Sequence, residues 1–178
     1  MKNGEPAKGD VKIRRVSQTP RALYPGTFDP ITLGHLDLIR RGVDLFGSLC
    51  VAVARNDSKT PLFSVEERLD MIRAETRELP GVSVESFGGL VVEYCRLRGI
   101  PTILRGVRTA SDFEYEFRMA LTNRVLNEGV ETVFVMPNES YAYLSSSLIK
   151  EVYSSGGDLT RFLTPSVHER LLRRLRRP

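Results

Sequence analysis

From about residue 21 onward, the alternation of apolar and polar positions divides the chain into strand-like and helix-like segments. Ala22-Leu23-Tyr24 reads as a short buried strand broken by Pro25-Gly26. A helix follows from about Thr32, with Leu33, Leu36, Ile39, Val43 and Phe46 on or near one face. The run from Leu49 to Ala54 is apolar throughout, as in a strand covered on both sides. Ser64 with Glu67 forms a capping box ahead of Val65, Leu69 and Ile72; Ser111 with Glu114 forms a second, opening a long helix to about Leu126. Val82, Val84 and Phe87 alternate as a third strand that Gly88-Gly89 ends, and a short helix from Leu90 to Arg98 stops at Gly99. Thr102-Ile103-Leu104 is the fourth strand and Thr132 to Met136 the fifth, closed by Pro137. Two or three helices complete the pattern, the last opened by Thr164 as cap with Pro165 at its first position.

Strand and helix thus alternate with crossovers too long for hairpins. That predicts an α/β fold: a doubly wound, Rossmann-like parallel five-stranded sheet, with helices on both faces and a C-terminal helical segment. One domain spans residues 21–178, preceded by a polar arm (1–20) that the pattern leaves flexible. Composition agrees: 178 residues, 41% hydrophobic and 27% charged, suit one soluble globule with a real core. No apolar run is long enough for a transmembrane helix, and residues 1–20 lack the apolar stretch of a secretory signal. Cys50 and Cys95 stand far apart without metal-ligand spacing and read as reduced packing residues of a cytoplasmic protein.

A formal charge of +4 invites a nucleic-acid reading until the charge is located. Residues 1–20 carry +3 and residues 170–178 carry +5, which leaves the body at −4. The basicity belongs to the ends, no aromatic-basic interleaving is present, and neither nucleic acid nor a membrane is expected as a partner. The tail reads as an amphipathic helix with a solvated basic side.

In an open parallel sheet, ligands bind beyond the carboxyl ends of the strands. Those ends lead here into Gly26 to His35, Arg55 to Lys59, Gly88-Gly89, Arg105 to Arg108, and Ser145-Ser146-Ser147 with Lys150. Glycines, hydroxyls, cations and one of only two histidines gather on one edge, which suits a polyanionic phosphate. If Thr32 caps the first helix, His35 lies in its first turn and can donate to a phosphate oxygen as charge builds in a transition state. The plainer alternative is that His35 satisfies a backbone carbonyl. Arg105, ending a buried strand, needs an anionic partner; either a ligand or a carboxylate such as Glu114 or Glu116 would serve. The three serines offer hydroxyls and free N–H groups, or serve simply as N-caps. Lys59 by itself is no more than a surface lysine. The chain lacks G-x-x-x-x-G-K-[ST], G-x-G-x-x-G, G-x-S-x-G and any metal-ligand cluster. With no activated nucleophile visible, direct transfer between two substrates is favoured over a covalent intermediate.

Thr27-Phe28-Asp29-Pro30-Ile31-Thr32-Leu33-Gly34-His35 resembles the T/HxGH signature of the nucleotidyltransferase superfamily. Together with YPGTFDPITLGH, RGVR at 105–108, DFEYE at 112–116 and YLSSSLIKE at 143–151, it resembles the bacterial phosphopantetheine adenylyltransferases from Arg21 to the last helix. The resemblance implies transfer of the adenylyl group of ATP to 4′-phosphopantetheine, giving dephospho-CoA and pyrophosphate in the penultimate step of coenzyme A synthesis. It implies catalytic roles for His35 (stabilising the pentacovalent α-phosphoryl), Thr27, Lys59, Arg105 and Arg108. Thr27, Phe28, His35, Gly106, Val107, Arg108, Glu116, Tyr141, Ala142, Tyr143, Leu144, Ser145, Ser146 and Ser147 would hold ATP. Thr27, Lys59, Val91 and Arg105 would hold phosphopantetheine. Mg²⁺ would arrive with the nucleotide, since no metal ligands are assigned; a homohexamer and restraint by coenzyme A are implied as well. The competing acceptors, nicotinamide mononucleotide and glycerol or choline phosphate, go with a second signature histidine where this chain has Thr32. A nucleotide- or nucleic-acid-binding module using the basic ends is the alternative from another class.

Overall fold

The computed structural model describes residues 19–55 and 61–175. The polar arm up to residue 18, the loop carrying Lys59, and the last three residues of the basic tail lie outside the described residues. Five strands, β1 (Ala22–Gly26), β2 (Leu49–Ala54), β3 (Val82–Phe87), β4 (Thr102–Gly106) and β5 (Glu131–Val135), form one sheet in the order β3-β2-β1-β4-β5. All four pairings are parallel. The helices are α1 (Leu33–Phe46), α2 (Val65–Thr76), α3 (Val91–Arg98), α4 (Ala110–Leu126), α5 (Ser146–Ser154) and α6 (Pro165–Leu175), with a 3-10 turn at Glu139–Tyr141. The expected doubly wound α/β architecture is what forms.

Alternating strand residues feed two cores. Ala22, Tyr24, Leu49, Val51 and Val53 pack with α1, α2, α5 and α6 on one side of the sheet. Leu23, Cys50, Ala52 and Ile103 pack with Val92 and Cys95 of α3 on the other. Both cysteines are buried and unpaired, as packing residues would be. Val167 and Leu171 of α6 belong to the first core. On the helix's outer side Arg173 pairs with Glu169, whereas Arg174, at i+7 from Val167, stays on the core side, where it pairs with Glu67 and lies over the Phe63 ring.

Three local expectations need correction. Pro25 does not end β1: the strand runs on to Gly26, with Pro25 registered on Ala52. In a strand a residue's N–H and C=O face the same neighbour, and the Pro25 carbonyl is taken by Arg105 Nη1 of β4 at 2.9 Å. The missing N–H therefore faces β4, to which β1 is registered only through Leu23 and Ile103, so the full β1–β2 ladder is kept. The second capping box also shifts. Thr109, in extended backbone, caps α4 by accepting from the Asp112 N–H at 3.2 Å, while Ser111 lies inside the helix. The fifth strand sits one residue earlier than expected, which leaves Met136 outside and exposed. Ser64 and Glu67 do form their box, with bonds of 3.2 and 2.8 Å.

Candidate active site

The strand order runs outward from β1 in both directions, so the topological switch falls between β1 and β4. That is the crevice where open parallel sheets bind ligands. The turn after β1 is built around Phe28, whose backbone is left-handed at φ 50 and whose ring is 2% exposed. The ring folds back over Gly26, where a Cβ would come within 2.8 Å of it, and meets Tyr24 and His35 edge-on at 5.4 and 5.1 Å. Phe28 therefore has its backbone N–H, not its ring, to offer a ligand.

Thr32 caps α1, and His35 closes the box from the third helical position. The Thr32 N–H donates to His35 Nδ1 at 3.1 Å, and the Thr32 hydroxyl lies 3.0 Å from the same nitrogen. A backbone N–H has no other role than donor, so Nδ1 is the acceptor and the ring proton sits on Nε2. Burial, with the nearby Arg108 charge second, lowers the His35 pKa to about 4. At neutral pH it is an uncharged imidazole with a fixed N–H, held on the cavity wall.

This has a consequence for stability. The native ring stays unprotonated down to about pH 4, while in the unfolded chain it takes its proton near the ordinary 6.5. The unfolded state binds more protons in that window, so stability falls as pH drops from 6.5 toward 4, by up to about 3 kcal/mol. Denaturant unfolding at both ends of the window is expected to show this loss in the native protein and a clearly smaller one in His35→Gln. Equal losses would remove the buried neutral ring.

Two cavities of about 270 and 600 Å³ open at the switch point, and Pro25, Gly26, Thr27, Arg105 and Glu116 form the wall they share. Arg105 takes the carboxylate alternative: Nε donates to Glu116 at 2.7 Å, Nη2 donates to the second Glu116 oxygen, and Nη1 holds the Pro25 carbonyl. Burial works against the guanidinium charge, but the Glu116 hydrogen bonds outweigh it and hold the pKa above the usual arginine range. These bonds use three of the fork's five N–H groups, so the same side chain can still meet an anion in either cavity. Arg108 donates to Asp112 at 2.8 Å and to the Leu144 carbonyl at 2.7 Å, which fastens the segment leading into α5. The serines divide their work. Ser145 caps α5 by accepting from the Leu148 N–H at 3.0 Å, Ser146 donates to the Pro30 carbonyl at 2.8 Å, and Ser147 stays exposed in the first turn.

The smaller cavity brings together Thr27, Phe28, His35, Gly106, Arg108, Tyr141, Leu144 and the three serines, with Arg105 and Glu116. Val91 lines the larger one. Val107, Ala142 and Tyr143 line neither: Val107 extends the β4–β5 ladder to the Val135 carbonyl at 3.1 Å, and Tyr143 packs edge-on against Phe162. Lys59 lies outside the described residues. Sequence reasoning missed the α4 wall of the larger cavity, where Tyr115, Met119 and buried Asn123 face inward at helical spacing. The signal was an i, i+4, i+8 stripe ending in an amide, carried by a helix whose large apolar residues, Tyr115 and Met119 among them, are exposed. Among the described residues no group of three His, Cys, Asp or Glu side chains could hold a metal ion, and no helix is long and apolar enough to cross a membrane.

Residues 23–152 match the cytidylyltransferase-like family profile. Over 156 residues the chain is 49% identical to the phosphopantetheine adenylyltransferase of Caldanaerobacter subterraneus subsp. tengcongensis, which covers 88% of this chain and 98% of that one. It is 51% identical to the phosphopantetheine adenylyltransferase of an Acidovorax species over the same length, 94% of that protein. The solved structure of a lipopolysaccharide core biosynthesis protein from Thermoplasma volcanium GSS1 superposes with a TM-score of 0.49 at 24% identity, covering 67% of this chain and 97% of that one.

Proposed function

The chain belongs to the phosphopantetheine adenylyltransferases of the cytidylyltransferase-like family, and on that premise we propose that it transfers the adenylyl group of ATP to 4′-phosphopantetheine, releasing dephospho-CoA and pyrophosphate. The observation that carries this reading is the pair of cavities meeting at one wall, with Thr27 and Arg105 in it and His35 beside it. The smaller cavity, lined by His35, Arg108 and the start of α5, suits the nucleotide and its phosphates. The larger one, with Phe87, Leu90, Val91, Met119 and the Asn123 amide, suits a long arm of methylenes and amides.

In this arrangement a 4′-phosphate oxygen of the acceptor attacks the α-phosphorus of ATP. A P–O bond forms as the bond to the β-phosphate breaks, and its electron pair leaves on pyrophosphate. Little covalent work falls to the protein, so positioning and charge neutralisation make up its contribution. Thr27 and the Phe28 N–H hold α-phosphate oxygens, Arg105 with Lys59 holds the acceptor phosphate, and the His35 Nε2–H donates to the oxygen on which charge grows. Among the described residues Glu116 is the one carboxylate of the walls and it is bound to Arg105, so in this reading Mg²⁺ enters as part of the MgATP substrate.

Further proposals rest on the same resemblance. Coenzyme A, which carries the same pantetheine arm, would compete for the larger cavity. A homohexamer in the cytoplasm would cover α4, whose Phe113, Phe117, Leu121 and Val125 stand exposed. The deciding assay is pyrophosphate release from MgATP. 4′-Phosphopantetheine is expected to support it, while pantetheine, nicotinamide mononucleotide and glycerol or choline phosphate are expected not to. Release with one of the other phosphates in its place would overturn the acceptor assignment.

A further inference from the structure

Arg68 lines neither cavity and carries no role in the reaction described above, yet it is 2% exposed. Its Nε donates to the Ser64 carbonyl at 3.2 Å and its Nη1 to the Thr27 carbonyl at 2.8 Å. Among the described residues no carboxylate stands within ion-pair distance of it. The nearby charges that offset it are Asp29 and, after it, exposed Glu66; Asp29 is itself buried and already holds the Leu62 and Phe63 N–H groups at 2.9 Å and Lys150 Nζ at 3.1 Å. Behind the turn that follows β1, the buried Arg68 guanidinium thus shares one buried carboxylate, Asp29, with Lys150, whose side chain is 42% exposed. A guanidinium buried against neutral carbonyls is an expensive way to fill space that methionine or leucine could fill. The arrangement needs a reason outside stability.

The carbonyl it grips supplies one. The Thr27–Phe28 peptide is trans, so its C=O and N–H point to opposite sides. Arg68 takes the C=O from behind, while Thr27 and Phe28 face the smaller cavity in front. A charge-assisted bond to the carbonyl polarises the peptide and strengthens the opposite N–H as a donor. The same bond braces the left-handed Phe28 backbone, a conformation that is strained for a residue with a side chain. We propose that Arg68 is a positioning residue for adenylyl transfer: it holds the Thr27–Phe28 peptide so that the Phe28 N–H and the Thr27 hydroxyl meet the α-phosphate, and adds positive potential behind them.

This rests on the smaller cavity being the nucleotide site. The test measures kcat and both KM values for Arg68→Met and Arg68→Lys, with every rate expressed per ATP-binding site titrated by calorimetry, so that misfolded protein does not count. Arg68→Met is expected to lower kcat about 10²-fold with both KM values within about threefold, because the turn binds ground states adequately but no longer fits the transition state. Arg68→Lys fills most of the same space and keeps the charge without the fork. It is expected to melt near the native temperature and to lose about tenfold in kcat. Loss of binding sites or of melting temperature, with kcat per remaining site unchanged, would reduce Arg68 to a structural residue and overturn the proposal. Where Arg68→Met does not fold, Arg68→Lys decides alone, a native kcat overturning the proposal. If the native protein binds ATP but releases no pyrophosphate with 4′-phosphopantetheine, the assigned reaction fails instead, a result distinct from unchanged Arg68 variants.

Discussion

His35→Ala is expected to lower kcat by about 10²–10³-fold while leaving both KM values within a few-fold, because the imidazole donates mainly to charge that exists only in the transition state. The geometry argues for a donor and against a general base. Nδ1 is occupied by the Thr32 N–H, and burial keeps the ring neutral until about pH 4, so the proton the reaction meets is the one fixed on Nε2. The attacking phosphate oxygen needs no deprotonation at neutral pH, which leaves a base nothing to do. A neutral donor also avoids holding the leaving pyrophosphate too tightly, as a cation would. Single-turnover rates with the native and variant proteins at saturating MgATP and 4′-phosphopantetheine measure the effect on the transfer step itself. An unchanged single-turnover rate would take His35 out of the chemistry. A loss confined to KM would make it a binding residue.

The sequence carried the fold because each strand–helix unit agreed locally with the global arrangement. The apolar run at 49–54 belongs to a central strand, and Ser64–Glu67 and Gly99 punctuate α2 and α3 where expected. It also put Thr27, Thr32 and His35 close together for the same reason, since they lie within one turn and one cap whose geometry follows from short-range spacing. What it could not give were partners set by tertiary packing. Glu114 and Glu116 were equal candidates for Arg105 until the start of α4 at Ala110 put Glu116 on the inward face. Pro25 reads as a breaker, and only the identity of the strand facing its missing N–H makes it harmless. Phe28 is core by its ring and ligand-facing by its backbone, a division no residue letter shows. Arg68 is 41 residues from Thr27 and sits on an ordinary-looking charged helix start. Its burial is invisible until α2 is packed against the turn.

Arg105→Ala is expected to raise the KM for 4′-phosphopantetheine by about 10²-fold, roughly 2.8 kcal/mol at about 1.4 kcal/mol per tenfold, with a smaller change in the KM for ATP. The side chain has a second duty that would confuse a single variant. Its partner Glu116 is largely buried, so removing the guanidinium strands a carboxylate in the wall between the cavities and destabilises the fold. Glu116→Gln removes that problem, because a neutral amide can lose its partner with less penalty. The double-mutant cycle therefore separates the two effects. Arg105→Ala with Glu116→Gln is expected to recover most of the lost melting temperature and none of the lost acceptor affinity. Glu116→Gln alone is expected to leave acceptor affinity within a few-fold of native, since the guanidinium keeps its Pro25 bond and its two unused N–H groups. The cation's meeting with the acceptor phosphate is then the term that survives when wall stability is restored. Recovery of acceptor affinity in the double variant would instead mean that Arg105 acts on the acceptor only by keeping Glu116 in place, and the phosphate would have to be held by other groups.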